Sequence, residues 1–145
     1  MLKVQLDLEY IARICHEAQR ALGLAFGDQS LEPWELESNG KRQAVMQGVH
    51  FAVAAMKDAT GKTLLDFARE QHDSWFKEHE KRGWVRGPFY SRENKTHPNM
   101  TPFDLLSDQQ KAKDLVFRSI VMALVRDLAV TIETPREPAA SVLNE

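Results

Sequence analysis

Residues 72–104 read HDSWFKEHEKRGWVRGPFYSRENKTHPNMTPFD. Helical spacing runs up to Arg82 and stops at Gly83, where a helix C-cap glycine belongs. From there to residue 101 Gly, Pro, Ser and Asn are frequent and no period is sustained. The break carries an unusual set of side chains. Trp75 and Trp84 stand nine residues apart, Gly83 and Gly87 bracket the second, and Lys95-Thr96-His97-Pro98 closes the loop. A flat aromatic face beside fixed cations suits an aromatic, anionic ligand. The run Pro88-Phe89-Tyr90 is expected to form a short strand or hairpin arm.

Outward from this loop the chain is helical. Thr63 to Arg82 precedes it, with Leu64, Phe67, Ala68, Trp75 and Phe76 expected to turn inward. A first helix spans Leu8 to Phe26, with Ile11, Ile14, Cys15, Ala18, Leu22 and Ala25 at spacings of three and four. Ser38 is an N-cap for a second helix through Met56, whose apolar face is Val45, Met46, Val49, Ala52, Val53 and Met56. Past the loop, Thr101-Pro102 has the form of an N-cap followed by proline at the first helical position. Ser107 with Gln110 is a capping box opening the last long helix, to about Ile132. Its expected face is Leu115, Ser119, Met122, Ala123 and Leu128, and residues 134–145 are expected to form a mobile tail.

The halves echo each other. Ile11-Ala12-Arg13-x-x-His16-Glu17-Ala18 aligns with Phe67-Ala68-Arg69-x-x-His72-Asp73-Ser74 at an offset of 56. Pro33-Trp34-Glu35-Leu36-x-Ser38 aligns with Pro102-Phe103-Asp104-Leu105-x-Ser107 at an offset of 69. The second copy therefore carries 13 extra residues, which fall in the tryptophan loop. The expected fold is mainly α, with two helix–loop–helix repeats (8–57 and 63–132) about a pseudo-twofold axis and short strand-like arms in the loops.

The 145 residues make one domain by size, large enough to bury a core. With 19 Lys plus Arg against 21 Asp plus Glu, the net charge is -2, which gives no long-range attraction to polymeric nucleic acid or an anionic membrane. Cys15 stands alone and cannot make an internal disulfide, which fits a reducing cytoplasm. The N-terminus lacks a signal-peptide pattern, and no window approaches the roughly 18 apolar residues of a membrane span.

From His72 onward the pattern H-D-x-W, G-W-x-x-G-P, K-x-H-P and P-F-x-x-L closely resembles the RyR domain, the repeat named after the ryanodine receptor and found also in small bacterial and viral proteins. The spacing agrees from Trp75 to Trp84, from Gly87 to His97, and on to Pro102-Phe103-Asp104-Leu105. The likeness is strong over 66–128 and weak over 1–57, which lacks the G-W and K-x-H-P elements. One position departs: the family usually has Tyr two places after the second Trp, and here it is Arg86. The resemblance implies a stand-alone prokaryotic or viral member, in the host cytoplasm if viral. It implies a paired-repeat helical domain whose concave face takes an adenine nucleotide. Relatives have been proposed to sense or sequester nucleotide-derived signals, and catalysis is not a known property of the family.

Each candidate residue has a plain structural reading beside the functional one. Trp75, on a helix face, suits core packing, and with Trp84 it suits a slot for a base. Trp34 is expected either to face them across the axis or to pack in the core. Arg86 and Lys95 are either solvated loop cations or phosphate ligands. His97 before Pro98 either fixes loop geometry or touches ligand. Arg13 and Arg69 share a repeat position and either pair with acidic neighbours or reach the groove between the halves.

Enzymatic constellations fail. His72 and His79 lack an HExxH or cysteine context, so no metal is expected. Gly61-Lys62-Thr63 resembles the end of a phosphate-binding loop, but Met56 occupies the required glycine position. The expected function is non-catalytic binding of a nucleotide-derived, adenine-containing, phosphorylated small molecule, with no cofactor. A peptide-binding interaction module and, third, a nucleotide hydrolase are the alternatives. Binding within one chain or between copies of a homo-oligomer both stay open.

Overall fold

A computed structural model describes residues 7–133, with side chains through Val125; the tail expected over 134–145 and the face residue Leu128 lie outside what it describes. The fold is mainly helical. Helix α1 spans Leu8–Ala25, α2 Asn39–Ala55, α3 Leu64–Lys81 and α4 Asp108–Glu133, and strands β1 (Val85–Arg86) and β2 (Thr96–His97) form a small parallel pair in the loop between α3 and α4. Short 3-10 turns at Trp34–Leu36 and Phe103–Leu105 precede α2 and α4.

The helix starts follow from capping chemistry. Asp7 accepts from the Tyr10 amide, and Ser38 Oγ accepts from the Lys41 amide at 3.2 Å. Thr63 and Asp66 cap reciprocally at 3.1 and 2.9 Å, the full capping box of the molecule's described helices. At the start of α4 only half the expected box forms. Ser107 Oγ accepts from the Gln110 amide, but the Gln110 carboxamide instead accepts from Asn99 at 2.9 Å, tying the loop to the helix. Thr101-Pro102 does not start a long helix: Pro102 flanks the 3-10 turn and α4 waits until Asp108.

The core lies where α4 packs on α1, α2 and α3. Ile11, Ala12, Cys15, Trp34, Val49, Ala52, Phe117 and Val121 form its main cluster, and Ala68, Phe103 and Leu106 a second. Burying each large aliphatic side chain contributes about 1.5–3 kcal/mol. Two expected faces need correction. On α4 Ser119 and Ala123 are exposed, and Phe117, Arg118 and Val121 form the buried seam. The cause is Arg118, fully buried in that seam. Its guanidinium lies 4.8 Å from the Phe67 ring centre and donates to the Phe67 carbonyl at 3.2 Å, with Glu70 at 3.9 Å. A cation at a core position disguises the period. On α3, Leu64 is exposed, because it sits in the first turn beyond the reach of the core.

The two halves build the same corner. Pro33 (φ -54°, ψ 146°) and Pro102 (φ -58°, ψ 147°) enter matching 3-10 turns, which leave through Glu37 (φ -68°, ψ 153°) and Leu106 (φ -71°, ψ 155°). Trp34 and Phe103, each 2% exposed, plug the two corners. Each corner is tied back to its preceding helix by a buried histidine. His16 Nε2–H donates to the Glu32 carbonyl and His72 Nε2–H to the Thr101 carbonyl, both at 2.7 Å.

Candidate functional site

The loop leaves α3 at Gly83, whose φ of +89° is the left-handed conformation that glycine adopts without strain. Strand β1 then pairs with β2: the Val85 amide donates to the Lys95 carbonyl at 2.9 Å, and Ser91 and Thr96 exchange two backbone bonds at 3.0 Å. Gly87 is required here, since a Cβ would come within 2.7 Å of Thr96 Cβ. The expected arm at Pro88-Phe89-Tyr90 is not the paired segment. The strands lie on either side of it, and Phe89 is 78% exposed at the loop's surface.

This scaffold gathers Trp75, His79, Trp84, Tyr90 and His97 into one aromatic cluster. Trp75 is covered by His72, stacked at 5.4 Å, and by His79 at 4.2 Å, with the His97 ring edge-on at 5.0 Å. Trp84 stacks on Tyr90 at 5.8 Å and meets the His79 ring at 5.5 Å. The space between the two indoles therefore holds two imidazoles, and the outward aromatic shelf is Trp84 with Tyr90.

Both imidazoles in the cluster are held neutral. His79 donates from Nδ1 to the Trp75 carbonyl at 3.0 Å, and burial, then that bond in opposition, then the fields of Lys41 and Arg82 act on it; the result is a lowered pKa. His97 Nδ1 accepts from the Asn99 amide at 3.0 Å, so the proton of the neutral ring is on Nε2. Burial first, then the positive field of Lys41, push His97 down to about 4.

The remaining sequence candidates are distributed unevenly. Arg86 is exposed and lines a shallow depression with Gly87, Pro88 and Pro98. Lys95, at φ +55°, turns its ammonium onto the Arg82 carbonyl at 2.8 Å and so caps the end of α3. Arg69 bonds Asp104 at 2.9 Å, and Arg13 lies 3.5 Å from Glu35. Trp34 belongs to the main core cluster, away from solvent.

Sequence reasoning missed three further cations that tie elements together or act on the histidines. Arg92 reaches from the loop to Ser38 Oγ at 2.9 Å, so the loop is tied to the N-cap of α2. Lys113 of α4 bonds Asp28 at 3.0 Å. Lys41, in the first turn of α2, contributes to the lowered pKa of both His79 and His97. No local motif marks these three, because each comes from a different element. Tyr90 was visible only as part of an expected strand.

Burial pushes the Cys15 thiol up to about 12, and its neighbour His16 is turned to the Glu32 carbonyl, so the pair is no nucleophile and base. Among the described residues no three His, Cys, Asp or Glu side chains are arranged to hold a metal ion, and no helix is long and apolar enough to cross a membrane.

The family model of the RyR domain matches residues 47–133, well over half of the chain. The match takes in the second part of α2, all of α3, the loop with both strands, and α4, which are the elements that carry the aromatic cluster. The chain belongs to the RyR domain family.

Proposed function

We propose that this RyR-domain protein holds a nucleotide-like small molecule, adenine-containing and phosphorylated, in the groove between its two repeats (8–57 and 63–132), as a sensor or a sequestering protein that does not turn its ligand over. The observation that carries the reading is the Trp84–Tyr90 shelf, stacked at 5.8 Å. A base stacked on such a shelf gains roughly 1–3 kcal/mol. His97 Nε2–H supplies a neutral donor next to it, Trp75 supports the cluster from behind, and Arg86 stands on the outer lip. The buried free thiol of Cys15 agrees with a cytoplasmic setting.

A panel of adenine nucleotides, cyclic oligonucleotides and ADP-ribose derivatives in a thermal-shift assay tests this. A true ligand raises Tm progressively with concentration, adding about 2.7 kcal/mol of stability at a hundredfold excess over Kd. The recovered ligand should be chemically unchanged by mass spectrometry. A flat response across the panel removes the reading. A second reading, a peptide-binding module, draws on the exposed Val85 and Phe89 along the same loop. It predicts stabilisation by peptides and none by nucleotides.

A further inference from the structure

We propose that His72 and Asp114 form a proton-operated latch on the tryptophan loop. A proton held between them keeps the end of the loop fastened to α3, and its loss weakens that fastening. The latch does not depend on what the loop binds.

The tautomer carries the argument. A carbonyl oxygen can only accept, so the 2.7 Å bond from His72 to Thr101 puts a proton on Nε2. In a neutral imidazole Nδ1 is then a lone pair. That lone pair faces Asp114 Oδ2 at 3.8 Å, between side chains that are only 4% and 16% exposed. An ionised carboxylate and a lone pair repel each other, and little water is left to screen them. One proton resolves the conflict, on the oxygen as an acid or on the nitrogen as a cation. The two groups therefore titrate as a unit that holds one proton.

The surrounding charges supply no substitute. On α3 the neighbour Asp73 adds negative field, and Arg69 is turned to Asp104. On α4 Lys113 opposes, but its ammonium bonds Asp28 beyond the end of α1 at 3.0 Å, and Arg118 donates to the Phe67 carbonyl. From the loop, His97 is neutral. Burial leads, and the Asp114 carboxyl is pushed up to about 7. For a carboxyl raised on closing, the contribution is complete below about 3.8 and is lost as pH rises to about 7. His72 is lowered, by burial first, so its own protonation opposes this trend in acid.

His72 passes the proton's effect to the loop by two routes. Its bond fixes Thr101, which with Met100 forms the buried end of the loop. Its ring stacks on Trp75 at 5.4 Å and lies 6.1 Å from the Phe103 plug. The first half has the fastening without the proton. His16 bonds the Glu32 carbonyl at 2.7 Å, but Val45 stands where Asp114 does, and Glu37 approaches on the Nε2 side at 3.5 Å. The carboxyl is thus an addition of the half that carries the long loop.

Hydrogen–deuterium exchange of the full chain at pH 6, 7 and 8, corrected for intrinsic rates, tests the latch. Protection over residues 84–101, taken relative to Asp114→Asn, should fall about tenfold in wild type between pH 6 and pH 8. The asparagine amide donates to Nδ1 without titrating, so it stands in for the protonated acid. Asp114→Val, which copies the first half, should likewise lack the pH-dependent fall. Protection of α1 should show no such difference. Ring-nitrogen NMR should find His72 Nε2 protonated throughout, with a midpoint near 7 that Asp114→Asn removes. The same pH profile in wild type and both variants overturns the latch. So does a difference spread equally over α1, which marks global stability, or a His72 ring whose only proton is on Nδ1.

Discussion

The corner before α2 and the corner before α4 are built alike, yet only the second has a tryptophan loop in front of it. Both use a histidine-to-carbonyl bond of 2.7 Å, a proline entry, a buried aromatic plug and an arginine–carboxylate pair. Those shared parts are what the fold needs. The second half's connection, longer by 13 residues than the first's, is more than a corner needs, and this longer loop carries Trp84, Tyr90, Arg92 and His97. The comparison also reaches into the helices. Val49 and Arg118 occupy positions 69 apart and are both fully buried, while Val45 in the first half corresponds to Asp114 in the second. Charge has entered the second half at positions that are apolar in the first.

The most damaging way to break the likeness is to remove the plugs. Trp34→Ala and Phe103→Ala should each cost about 3–5 kcal/mol in urea unfolding, the range for emptying a buried aromatic site. Trp34 sits in the larger cluster and should be the costlier. Equal loss of α2 and α4 packing from either change would show that the corners are cooperative, whereas a mild Trp34→Ala would mean that the first corner is vestigial.

Next in size is Asp114→Asn, which neutralises a half-buried carboxyl that has no counterpart in the first half. Burial pushes Asp114 up to about 7, from the 3.8 of an ordinary Asp. A carboxyl raised on folding stabilises below its unfolded pKa and loses that contribution as pH rises through about 7. The Asn variant should therefore match wild type near pH 4 and exceed it at pH 8 by about 2–4 kcal/mol, at roughly 1.4 kcal/mol per unit. His97 runs the other way. Lowered to about 4, it supports folding above pH 6.5 and loses that support as pH falls toward 4. In wild type the two trends oppose each other between about 4 and 6.5. Asp114→Asn should expose the histidine's acid loss as a steady fall, measured by urea midpoints at pH 4, 6 and 8.

How much of this could be read from the chain differs by region for the same reason that the corners differ. Helix limits were legible because caps are local: Ser38, Thr63 and Gly83 stand where their chemistry places them. The corner repeat was legible because its residues keep their types at a fixed offset. The α4 seam was not, since Arg118 interrupts the apolar period with a cation whose partners, Phe67 and Glu70, lie about fifty residues away. Trp34 shows the limit of residue type alone, because a tryptophan before a helix suits a core plug and a ligand wall equally. The tie from Arg92 to Ser38 could not be read before the fold brought the loop to the start of α2. Lys95 looked like a ligand cation because a helix carbonyl as its partner has no sequence signature.

A smaller effect tests the tie that joins each corner to its helix. His16→Ala and His72→Ala each leave a carbonyl without its donor, which should cost about 1–3 kcal/mol by chemical denaturation. Similar values support equivalent corners. A larger value for His72 is expected in addition, because its ring also stacks on Trp75 at 5.4 Å and so supports the binding loop. His72→Ala should then weaken ligand binding while His16→Ala leaves it unchanged.

The smallest effects belong to the arginines, and they separate structure from function most cleanly. Arg69 faces two carboxylates, Asp104 at 2.9 Å and Asp66 at 3.5 Å, and lies 5.6 Å from the Phe103 ring centre. Arg13 faces Glu35 alone. All of these side chains are well exposed, so water and salt screen them and crystallographic pairs of this kind contribute little. Arg69→Ala should lower Tm slightly more than Arg13→Ala at low ionic strength. Raising salt shortens the screening length to about 3 Å at 1 M, which should erase any part of the difference that is electrostatic. A residue of difference that survives salt would belong to the packing of Arg69 on Phe103. Neither change should alter ADP affinity, because both guanidiniums are turned to their corner carboxylates. A tenfold loss from either would show that the corner arginines serve the groove, and that the two halves share function as well as form.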